Sequence, residues 1–62
     1  MDRKSVLVVE DSRVQALSLI SLLEAYNLNV LWAMDGEMGV TIAQQHQPDA
    51  ILLDIEMPKM NG

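Results

Sequence analysis

A chain of 62 residues makes at most one small domain, since about 60 residues bury only about 60% of their unfolded surface. It has no cysteine, which excludes disulfide and zinc-thiolate staples, and its 50% hydrophobic content excludes a disordered segment. A net charge of −5 argues against direct contact with nucleic acid.

The apolar runs are too short to span a membrane, and no signal-peptide core follows Met1-Asp2-Arg3-Lys4, so a cytoplasmic protein is the default expectation. Ser5 to Val9 is rich in β-branched residues and reads as a strand buried on both faces. Ser12 to Tyr26 has helical periodicity. At about 100° per residue, Ala16, Leu19, Ile20, Leu22, Leu23 and Tyr26 share one face. Asp11 or Ser12 can cap the start of this helix, and Asn27 can stop it because Asn tolerates the left-handed conformation. Asn29 to Ala33 is a second strand. Asp35-Gly36 marks a turn, with Asp35 as N-cap of a helix running to about Gln45. Met38, Ile42 and either Ala43 or Val40 form its buried face. Pro48 ends this region and biases Gln47 towards extended geometry. Ala50 to Asp54 is the third strand. Strands alternating with helices imply an α/β fold with a parallel sheet and right-handed crossovers.

In parallel α/β sheets, ligands bind beyond the carboxyl ends of the strands. Glu10-Asp11 follows the run Val6-Leu7-Val8-Val9, and Asp54 follows Ala50-Ile51-Leu52-Leu53. If the first and third strands are neighbours, these three carboxylates converge. A hard divalent cation would relieve their repulsion, and carboxylate donors suit Mg²⁺. Such a cluster could receive a phosphoryl group on a carboxylate nucleophile. Taken singly, each acid has a plainer explanation. Asp after a strand is commonly a turn former, and Glu10-Asp11 could serve only to cap a helix.

Three blocks carry a resemblance: Val-Leu-Val-Val-Glu10-Asp11-Ser, Ala33-Met-Asp35-Gly36-Glu37, and Pro48 through Asp54-Ile55-Glu56-Met57-Pro58-Lys59-Met60-Asn61-Gly62. Together they resemble the N-terminal half of the receiver domain of two-component response regulators, across essentially the whole chain. The resemblance implies a β1-α1-β2-α2-β3 portion of a flavodoxin-like, doubly wound sheet in strand order 2-1-3, with residues 1–62 a partial receiver domain. It implies that Asp54 accepts phosphoryl from a histidine kinase or histidine phosphotransfer protein. Asp11 is then a direct Mg²⁺ ligand, Glu10 holds the metal through water, and Glu56 lends its backbone carbonyl. Met57-Pro58 and Gly62 shape the adjoining loop.

The family fold has two further strands. A switch Ser/Thr follows the fourth, a switch aromatic lies on the fifth, and a phosphoryl-pairing Lys, which Lys59 does not match, follows the fifth. The resemblance therefore implies weak Mg²⁺ binding and impaired phosphotransfer for these residues alone. Ala50 to Leu53 would form an exposed apolar edge, open to pairing with a second copy. This gives a rival expectation, a non-catalytic half-domain that works as an oligomerising unit. Val14 and Leu17 lie on the polar side of the first helix, which in the family helps dock the phosphotransfer partner. Trp32 either packs under a helix or joins Leu31 and Met34 in an apolar patch. An independent enzyme is not expected, since there is no Ser/His or Cys/His set and His46 is a lone, solvent-facing residue.

Overall fold

The computed structural model describes residues 3–53. Asp54, Glu56, Lys59 and the Met57-Pro58 and Gly62 loop positions lie outside the described residues. Five elements alternate as expected: β1 (Ser5–Val9), α1 (Arg13–Glu24), β2 (Asn29–Ala33), α2 (Gly36–His46) and β3 (Ala50–Leu53). The sheet is parallel with order β2-β1-β3. This is the flavodoxin-like arrangement, with β1 in the middle. Among the described residues no helix is long and apolar enough to cross a membrane.

Side chains alternate between the two faces of each strand, so every strand serves two layers. Leu7, Val9 and Ala33 form the buried cluster on one face, with Leu31 and the α2 residues Ile42 and Ala43 packed against it. Val6 and Val8 point the other way, towards α1, whose one buried residue is Ala16. β1 is thereby covered on both sides, as a continuous apolar run requires. α2 lies close against the sheet at Gly39, where an added Cβ would lie 3.1 Å from Val9 Cγ2.

Several expectations need correction. α1 is shorter than the periodic pattern: its C-cap is Ala25, and backbone bonds Tyr26 N–H to Leu23 O and Asn27 N–H to Glu24 O tighten the chain into a turn. Asn27 does stop it, at φ 64°. Leu22 and Tyr26 are exposed, because among the described residues α1 packs on β1 and β2 alone and a wide apolar face overhangs that contact. On α2 the buried position is Gly39, while Met38 and Val40 face outward. Gln47 is left-handed (φ 49°, ψ 62°) rather than extended. Pro48 disfavours the right-handed helical conformation at Gln47, and the left-handed one lets the Gln47 N–H still reach Ala43 O at 2.8 Å.

Candidate functional site

Parallel register brings the strand ends level. Val9 pairs with Ala33 on one side and with Leu53 on the other, so β1 and β3 finish together. Asp49 starts that alignment: its Oδ2 accepts from Ser5 N at 2.7 Å, and its own N–H donates to Ser5 O at 2.8 Å. The first and third strands are therefore neighbours, the condition on which convergence of the acids depends. The residue after Val9 is Glu10, and the residue after Leu53 is Asp54.

Glu10 is 2% exposed, the one buried charged residue among the described residues. Its main chain and side chain are both held. Its N–H donates to Ala33 O at 3.0 Å, carrying the β1–β2 ladder one residue past Val9. Its carbonyl accepts from Trp32 Nε1 at 2.9 Å. Its carboxylate Oε2 accepts from Ser12 N at 2.9 Å. A buried carboxylate needs such partners, because losing water is costly for the charged form.

Asp11 is exposed. The N-cap of α1 is Ser12, whose Oγ accepts from Gln15 N at 3.4 Å. Helix capping therefore does not account for Asp11. Nor does it account for Glu10, whose carboxylate bonds the N–H of the cap residue itself. Two carboxylates thus stand at the carboxyl end of the central strand, one sequestered and one facing out. Oxygen donors of this kind fit a hard cation such as Mg²⁺, which keeps several waters and takes few protein ligands. Among the described residues there is no group of three or more metal-ligating side chains.

The bond from Trp32 to Glu10 is not evident from the sequence alone. Trp32 is half-buried beside Val8, its partner in the ladder. Alternation puts Val8 and Glu10 on the same face, which brings the indole within reach of the end of β1. The available signal was the need of a packed Trp to satisfy its N–H.

The family model described as response regulator receiver domain matches residues 6–62. The chain is 42% identical to protein PilH of Pseudomonas aeruginosa over 57 residues, 92% of this chain and 47% of that one. It is 45% identical to protein-glutamate methylesterase/protein-glutamine glutaminase 2 of Nitratidesulfovibrio vulgaris over 60 residues, 94% of this chain and 16% of that one. It is 34% identical to the polar-differentiation response regulator DivK of Brucella anthropi over 59 residues, 95% of this chain and 48% of that one. The chain thus spans half or less of the length of these relatives. No solved structure gives a significant match.

Proposed function

The chain belongs to the response regulator receiver domain family, and from that premise we propose that it is the phospho-accepting part of a two-component relay, with Asp54 as acceptor. The observation that supports this reading is the level pairing of Val9 on β1 with Leu53 on β3, the residues that Glu10-Asp11 and Asp54 follow in sequence. Residues 1–62 serve as a partial receiver domain.

In the proposed reaction a carboxylate oxygen of Asp54 attacks the phosphorus of a phosphohistidine. The new O–P bond forms as the N–P bond breaks, and the imidazole leaves on the kinase or phosphotransfer partner. Asp11 and Glu10, with the Glu56 carbonyl, would hold Mg²⁺, Glu10 acting through a water. When bound, Mg²⁺ supplies charge neutralisation on the transferring oxygens. The hydrogen bond from Ser12 N keeps the Glu10 carboxylate oriented. The exposed Val14 and Leu17, on the outer side of α1, suit the docking of the phosphotransfer partner. The protein turns over no substrate of its own in this reading and works in the cytoplasm.

The test is incubation of the full-length protein with acetyl phosphate and Mg²⁺, followed by intact-mass measurement. A single phosphoryl gain, lost in Asp54→Asn and on chelation, is expected. No gain, or a gain that survives Asp54→Asn, would sink the reading. Residues 1–62 alone should bind Mg²⁺ weakly and accept phosphoryl poorly.

A second reading is favoured by β3, where Ile51, Leu52 and Leu53 are 50%, 41% and 65% exposed. Here the strand edge pairs with another copy and the acids have no catalytic use. Sedimentation alongside Mg²⁺ titration separates the two: firm association without metal binding selects this second reading.

A further inference from the structure

We propose that Trp32 is a positioning residue for the Glu10-Asp11 turn, setting its Mg²⁺ affinity through the indole N–H bond to the Glu10 carbonyl. The inference rests on the metal-binding reading above and adds a residue from β2 to it.

The turn that carries both acids is only three residues long, from the end of β1 at Val9 to the Ser12 cap of α1. A carboxylate there can serve a metal only if the backbone beneath it is held in one orientation. Three bonds at Glu10 contribute to the holding. The Ala33 carbonyl accepts from the Glu10 N–H, Ser12 N donates to the Glu10 carboxylate, and Trp32 Nε1 donates to the Glu10 carbonyl at 2.9 Å. The first two come from backbone groups and survive any substitution of their side chains. The third alone depends on a side chain other than that of Glu10. The Glu10 carbonyl belongs to the peptide group that leads into Asp11, so a donor fixed on it fixes the plane from which the Asp11 side chain departs. The indole is itself fixed: Trp32 is half-buried, lies beside Val8 in the ladder, and has two side-chain torsions to lose. The bond is partly shielded from water, which strengthens it relative to an exposed contact. Groups that orient metal ligands from behind commonly change metal affinity about 10- to 100-fold when removed.

The test is Mg²⁺ titration of the full-length protein, followed by backbone amide shifts of Glu10, Asp11 and Ser12, in three altered proteins. Trp32→Phe keeps a ring in place without the donor. Incorporation of 3-benzothienylalanine at position 32 keeps the full bicyclic shape and removes the N–H alone. Leu31→Val thins the core on the opposite face of β2 and leaves the indole bond intact. The Mg²⁺ Kd should rise about tenfold in the first two. It should stay within about twofold in Leu31→Val. The Trp32 indole proton of the unsubstituted protein should also exchange with deuterated solvent more slowly than that of free tryptophan. An unchanged Kd in the benzothienyl protein overturns the proposal. So does a Leu31→Val protein as weak as Trp32→Phe, which would make the effect one of general packing. If the unsubstituted protein binds no Mg²⁺, the metal-binding reading itself fails, a result distinct from both.

Discussion

The central and third strands invite comparison. Val6-Leu7-Val8-Val9 and Ala50-Ile51-Leu52-Leu53 are both unbroken apolar runs, and they pair residue for residue in one ladder. Yet the first run is at most 7% exposed, whereas Ile51, Leu52 and Leu53 lie between 41% and 65%. The difference comes from what crosses the sheet. α1 and α2 both pack on β1 and β2, and among the described residues neither packs on β3. Apolar content thus makes a strand, while coverage by neighbouring elements decides whether that strand contributes to the core.

Substitutions can break or sharpen this comparison. The largest effect should come from Leu7, fully buried at the centre of the sheet. Leu7→Ala in residues 1–62 should cost about 3–4 kcal/mol in urea unfolding, combining lost burial with a cavity. Gly39 comes next. A side chain there meets Val9 at 3.1 Å, and Val9 is itself held in the core. Gly39→Leu should lower stability by about 2 kcal/mol through overpacking, visible as a lower unfolding midpoint. The α2 cap is smaller. Asp35 Oδ1 accepts from Met38 N at 2.8 Å, and Asp35→Ala should cost about 1 kcal/mol, seen as an earlier loss of helical circular dichroism. Leu53→Ala should be the mildest, within about 0.5 kcal/mol, as is usual for surface positions. A loss at Leu53 as large as that at Leu7 would mean that something covers β3 under the conditions of measurement.

Much of this arrangement was legible in the residues. β1 and β2 follow from their apolar runs Val6-Leu7-Val8-Val9 and Val30-Leu31-Trp32-Ala33, and the Asp35 cap from its place before a helical period. Positions set by tertiary contact were harder to read. Gly39 looks like a weak point in a helix until its approach to Val9 is seen. Leu22 and Tyr26 fit the apolar face of α1, but periodicity says nothing about how wide the surface beneath the helix is. At the candidate site, Glu10 and Asp11 were legible as acids at a strand end. That Glu10 is buried and bonded while Asp11 is exposed was not, because it depends on contacts with Ser12 and with Trp32 on the neighbouring strand.

The strand order also governs how the molecule assembles. The middle strand is the first in the chain, so β1 gains no ladder partner until residues far downstream arrive. Val6 must wait for Val30, and then for Ala50. The second closure spans nearly twice the length of the first and costs about 0.6 kcal/mol more in chain entropy. The β1-α1-β2 unit is therefore expected to form first and to serve as the template onto which β3 is laid. During synthesis an apolar β1 is exposed until β2 is made, the interval in which the nascent chain is most open to misassociation.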